Sequence, residues 1–227
     1  MILGILGAME SEVEQLCSRL DGVQVEQYAG VRYHMGLLGG KKVVVCCAGM
    51  GKANAAATTQ VLITRYGAEQ IIFSGIAGNM TSKVDIGDVV IGGTVVYHDA
   101  DANLLAESAP FLEVFPGDAA LVAAADAACT ELGIHHIVGK IATGDTFVGD
   151  SATKAAIAAK CAPDCVEMEG AAIMQIAGRN QVPCVILRAM SDNADEEGRE
   201  KLLVKQFDIS EYIATATALV AAIAEKL

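Results

Sequence analysis

Short apolar runs, most of them cut off by a glycine or an acid and then followed by a helical pattern, constrain this chain more than any other feature. Residues 2–7, 43–48, 71–74, 88–97, 137–143, 164–168 and 183–190 are such runs, and their length and β-branched content read as buried strands. Between them the spacing predicts helices over 10–20, 52–66, 118–132, 152–160 and 170–180. A last helix opens at Asp208, with Glu211 completing a capping box. Glycines bracket a hairpin-like region at 28–40, and Gly92-Gly93 inside a long strand suggests a bulge. Residues 98–117 form the longest loop, and 192–198 read as an acidic loop. Strands apolar on both faces need cover on both sides. The expectation is an α/β fold: a single domain over 1–227, three-layer α/β/α, with a central mixed sheet.

Charge narrows the partners. A formal net charge of −12 repels nucleic-acid phosphates and anionic membranes and leaves small neutral or zwitterionic ligands open. No apolar run is long enough to cross a bilayer. The apolar start, Met1 to Met9, lacks a basic flank and runs into Glu10-Ser11-Glu12, so it reads as a first strand rather than a leader. Seven cysteines, mostly in apolar runs and without metal spacing, read as reduced core residues of a cytoplasmic protein.

Glycine turns argue against a phosphate-bearing cofactor. Ala48-Gly49-Met50-Gly51-Lys52-Ala53 resembles part of a P-loop but has alanine where a magnesium-binding hydroxyl belongs. Gly4-Ile5-Leu6-Gly7 has no third glycine and is followed by Met9-Glu10, where a pyrophosphate needs bare amides. No cofactor and no metal are expected.

Acids at strand ends carry more information. Val166-Glu167-Met168-Glu169-Gly170 places two carboxylates where a strand hands over to a helix. Glu12 and Asp192 follow two other strands. One reading is ordinary: Glu169 caps the helix and Glu167 is solvated. The other gathers Glu12, Glu169 and Asp192 at the carboxyl rim of the sheet, where α/β proteins bind ligands. Such a set suits a cationic transition state, one acid protonating a leaving group while another activates water.

Several stretches in order then resemble one family. They are Gly7-Ala8-Met9-Glu10-Ser11-Glu12, Ala48-Gly49-Met50-Gly51-Lys52, Gly75-Ile76-Ala77-Gly78, Tyr97-His98-Asp99-Ala100-Asp101, Gly144-Asp145-Thr146-Phe147, Val166-Glu167-Met168-Glu169 and Arg188-Ala189-Met190-Ser191-Asp192. Together they are similar to the bacterial 5′-methylthioadenosine/S-adenosylhomocysteine nucleosidases of the nucleoside phosphorylase superfamily. The resemblance implies hydrolysis of the N-glycosidic bond of those nucleosides, and of 5′-deoxyadenosine, in methionine salvage. It implies that Glu12 activates water with help from Arg188, that Asp192 protonates adenine N7, and that Glu169 grips the ribose. Met168 would pack under the sugar and Phe147 on adenine, whose edge the Val148 backbone would read. Met9, Met50 and Phe207 would line the 5′ pocket, with Ile76, Glu167 and Ser191 in the binding set. A homodimer is implied, the partner's 98–117 loop, including Leu105, closing the pocket.

This chain departs from the family at Ile76, where most relatives carry serine, and the 98–117 loop carries an insertion. Relatives lacking that serine include some that also cleave aminodeoxyfutalosine in menaquinone synthesis, so an aminodeoxyfutalosine nucleosidase is the alternative. A non-catalytic nucleoside-binding protein is the alternative of another class, but all three acids are present. A phosphorylase would need arginines around phosphate, and residues 75–87 contain none.

Overall fold

The structure, a computed structural model, describes residues 1–203 and 210–227; Phe207 and the expected helix start at Asp208 lie outside them. The chain opens with β1 (Leu3–Gly7), α1 (Glu10–Cys17), β2 (Asp21–Tyr28), β3 (Val31–Leu38), β4 (Lys41–Cys47) and α2 (Lys52–Thr64). Next come β5 (Gln70–Asn79), β6 (Val89–Tyr97), α3 (Ala102–Ala106), β7 (Phe115–Pro116), α4 (Ala119–Leu132) and β8 (His136–Thr143). It ends with α5 (Ser151–Cys161), β9 (Cys165–Glu167), α6 (Gly170–Arg179), β10 (Cys184–Asp192), α7 (Glu196–Leu203) and α8 (Ser210–Lys226).

The strands form one mixed sheet in the order β10-β6-β8-β9-β5-β1-β4-β3-β2, with β7 on β6. Because β10 also pairs with β5 in parallel, five of these strands close on themselves and the rest run on as an open wing. Side-chain alternation explains the cover on both sides. On β4, Val43 and Val45 join a core with Val13, Leu16, Leu121, Leu219 and Ile223 of α1, α4 and α8. Val44 and Cys46 face the opposite core, which contains Ala55 and Leu62 of α2 and Ala171, Ile173 and Met174 of α6. Helix α5 covers a smaller cluster, in which its Ile157 joins Ala142 of β8 and Val166 of β9.

Local signals set the helix ends. The Asp118 carboxylate accepts from Ala120 and Leu121 N–H at the start of α4, and Gly133 ends that helix at φ 67°. The bulge expected at Gly92-Gly93 occurs, between Gly92 and Thr94 on β6. Three expectations are corrected. The acidic run after Asp192 is not all loop, since α7 begins at Glu196; β5 continues as strand through Gly75-Ile76-Ala77-Gly78; and the 98–117 loop holds α3 and β7.

Candidate active site

Strand ends and turns from both halves of the chain converge on a cavity of about 170 Å³. The β1–α1 turn supplies Met9, the first turn of α1 Glu12, the β4–α2 turn Met50, and β5 supplies Ile76 and Gly78. The 144–150 loop adds Phe147, the β9–α6 junction Glu167, Met168 and Glu169, and β10 Arg188, Ser191 and Asp192. An annex of about 30 Å³ shares Phe147, Met168 and Asp192 and adds Val148. The three acids therefore gather at one rim. A larger hollow of about 550 Å³ beside α3 is lined by Tyr97, Asp99, Asp101 and Lys160 and contains none of those three.

Arg188 organises the charge. It is 1% exposed, its guanidinium sits 4.0 Å from the Phe73 ring, and it pairs with Glu167 and, at 3.2 Å, with Glu169. Glu167 is fully engaged by the protein. It accepts from the Thr143 hydroxyl, from Arg188, and from the N–H groups of Glu169 at 3.0 Å and Gly170 at 2.7 Å. Glu169 holds the N-cap position of α6 but makes no side-chain cap bond; the buried Glu167 carboxylate accepts the first helical N–H, from Gly170, in its place. Glu169 instead accepts from Gly51 N–H at 2.8 Å across the cavity. Burial pushes its carboxyl up to about 7, against the pull of Arg188.

Glu12 Oε2 accepts from Ala8 N–H at 2.7 Å and Met9 N–H at 2.9 Å, and Oε1 accepts from Ile76 N–H at 3.2 Å. Burial raises its pKa above the usual carboxylate range, with Arg188 and these amides opposing. Ile76 thus serves the site through its backbone, whatever its side chain. Gly75 lies between Glu12 and Arg188: a Cβ there would overlap the Arg188 Nη1 and stand 2.6 Å from Glu12 Oε1. Asp192 is aimed by a register shift between Met190 and Asp192. Its Oδ1 accepts from Ala194 N–H at 2.7 Å and its Oδ2 lies 2.8 Å from the Ser191 hydroxyl. Ser191 is buried and supports Asp192 rather than opening a free hydroxyl to the cavity.

The apolar rim is open. Met50 is 63% exposed and Phe147 45% exposed. Leu105 sits on α3, outside this chain's own cavity lining. Sequence reasoning missed Thr143, Phe73 and the Gly51 amide. Gly75 could have been found, because a glycine inside an apolar strand marks a close approach. Among the described residues no cluster of histidine, cysteine and acids could hold a metal.

The phosphorylase superfamily matches residues 2–226 of this chain. A 5′-methylthioadenosine/S-adenosylhomocysteine nucleosidase of Bacillus cereus (strain G9842) is 40% identical over 203 residues, 87% of this chain and 88% of the relative. The structure of the Neisseria meningitidis enzyme of the same name, in complex with methylthio-immucillin-A, is similar at a TM-score of 0.92 and 33% identity, over 100% of this chain and 99% of that one. Helicobacter pylori futalosine hydrolase is similar at a TM-score of 0.91 and 27% identity, over 100% of this chain and 98% of that one.

Proposed function

This chain belongs to the 5′-methylthioadenosine/S-adenosylhomocysteine nucleosidases of the phosphorylase superfamily, and we propose that its three rim acids divide the work of cleaving the N-glycosidic bond. The enzyme hydrolyses 5′-methylthioadenosine and S-adenosylhomocysteine, releasing adenine and the 5-substituted ribose. As the bond to C1′ breaks, positive charge grows on the ribose, and carboxylates held in a dry site stabilise it more than they stabilise the ground state. Glu12 takes a proton from water as its oxygen attacks C1′. A raised pKa makes it a better proton acceptor near neutral pH. Asp192 delivers a proton to N7, so adenine leaves neutral. Ionised Glu169 accepts from the ribose hydroxyls, Met168 packs under the sugar, Phe147 stacks on the base, and the Val148 backbone meets its edge in the annex.

The observation that carries this reading is the meeting of Glu12, Glu169 and Asp192 in one cavity whose described lining holds a single cation, Arg188, already paired with acids. Phosphate would meet Glu12 there, so water is the nucleophile. Met9, Met50 and Phe207 are assigned to the 5′ substituent, which extends the substrates to 5′-deoxyadenosine. The open rim calls for a cover, and residues 98–117 carry exposed Leu104, Phe111 and Val114 suited to an apolar partner. A homodimer in which that loop and Leu105 close the neighbour's pocket fits both facts, in a cytoplasmic enzyme of methionine salvage.

Adenine release from methylthioadenosine in phosphate-free buffer, with Glu12→Gln and Asp192→Asn alongside, tests the assignment. Release by the wild type alone, indifferent to added phosphate, is expected. Release that requires phosphate refutes Glu12 as the water-activating base, and preference for aminodeoxyfutalosine would move the substrate to the futalosine branch.

A further inference from the structure

Lys52 ties three elements together one residue beyond Gly51. Its backbone N–H donates to Asp145 Oδ1 at 2.8 Å, and its ammonium reaches Asp99 Oδ2 at 2.7 Å and Asp145 Oδ2 at 3.6 Å. The Asp145 N–H closes the ring on Asp99 Oδ2 at 2.9 Å. One residue earlier, the Gly51 N–H holds Glu169 Oε1. Adjacent amides at the first turn of α2 therefore grip one carboxylate from the 144–150 loop and one that lines the cavity. Gly51 makes this possible: its φ is 92°, and a Cβ would already stand 3.2 Å from Asp145 Oδ1. Met50, next to this turn, and Phe147, two residues beyond Asp145, both line the cavity. Asp145, Lys52 and Asp99 line none of it, so the reaction as described leaves their purpose open.

We propose that Asp145, held by Lys52 and Asp99, is a positioning residue that fixes both the ribose grip of Glu169 and the places of Met50 and Phe147 on the cavity lining. The kinetic half of this inference rests on the nucleosidase reading; the geometric half does not. Removing the Asp145 carboxylate frees the Lys52 N–H, and the first turn of α2 frays. Gly51 N–H then leaves Glu169, which still faces Arg188 from β10, Glu167 from β9 and Glu12 from α1. Loss of that donor makes the ionised carboxylate harder to hold, so Glu169 gives up its proton only at higher pH. Because Lys52, Asp99 and Asp145 are 24%, 27% and 52% exposed, salt weakens their charge attraction, and the amide bonds are the part that persists. A cluster that merely paired charges at the surface would change kinetics hardly at all.

The test compares Asp145→Ala with Asp145→Asn by amide hydrogen exchange on the free protein and by the pH dependence of kcat/KM for adenine release. In Asp145→Ala the Gly51 and Lys52 amides should exchange about tenfold faster or more. KM should rise about tenfold, and the rise of kcat/KM through the Glu169 titration should move to higher pH. Asp145→Asn keeps an acceptor for the Lys52 N–H and should restore most of the protection and of KM. Unchanged exchange, an unmoved pH profile, or an asparagine variant as impaired as the alanine one overturns the proposal. A wild type that releases no adenine refutes the nucleosidase reading instead, and the exchange comparison then decides the cluster on its own.

Discussion

Gly75→Ala is a small change with a calculable effect. Gly75 pairs with Arg188 across β5 and β10, and an added methyl would enter the space between Arg188 and Glu12. Neither neighbour is a loose chain end. Glu12 is held by three backbone amides, and Arg188 is buried between Glu167, Glu169 and the Phe73 ring. Ordinary contact begins near 3.4 Å and the methyl would stand 2.6 Å from Glu12 Oε1, so that oxygen must retreat by 3.4 − 2.6 = 0.8 Å. A displacement of about 1 Å at a reacting group costs about 100-fold in rate. Overpacking costs roughly 1–3 kcal/mol, which lowers the Tm of a chain this size by about 2–12 °C. Gly40→Ala is the control: its φ is 82° and nothing lies within 4 Å of a Cβ there. It should lower Tm through backbone strain of about 1–2 kcal/mol and leave kcat/KM alone. Steady-state adenine release and thermal unfolding of both variants decide it. A folded Gly75→Ala enzyme with kcat/KM within threefold of wild type would refute the account of Glu12 and Arg188 as a closed, rigid pair.

Thr143→Val keeps the shape but removes the hydroxyl that donates to Glu167 and accepts from Ala171 N–H at 2.8 Å. Both groups are buried, so urea unfolding should show a loss of roughly 1–3 kcal/mol at unchanged m-value. Glu169 supplies a pH signature. Its carboxyl rises from 4.5 to about 7 on folding, so between those values the native state binds more protons than the unfolded chain, and its contribution to stability falls as pH rises. The full effect is about 3 kcal/mol, and Glu169→Gln should stand higher relative to wild type at pH 8 than at pH 5 in thermal unfolding. An equal difference at both pH values would place the Glu169 titration elsewhere.

What the sequence shows and what it hides follow from where each decision is made. The hairpin turn at Ala29-Gly30 is local and legible, but β2 before it is an edge strand exposed along most of its length, and its brief Val-Gln-Val-Glu alternation marks no buried face. Helix α7 reads as loop because Glu-Glu-Gly-Arg-Glu-Lys carries charge on every side and no apolar stripe. Glu12, Glu169 and Asp192 stand out because an acid at the end of a buried strand is chemically anomalous. Which of Glu167 and Glu169 caps α6 is not legible, since Thr143 and Arg188 settle it from two other strands. The rejected P-loop resemblance at residues 48–53 fits the same logic. A helix start with glycine-freed amides attracts an anion whatever its source. Here the chain supplies both anions itself, Glu169 to Gly51 and Asp145 to Lys52. The turn that elsewhere cradles a phosphate here joins a carboxylate of the cavity lining to the loop that carries Phe147.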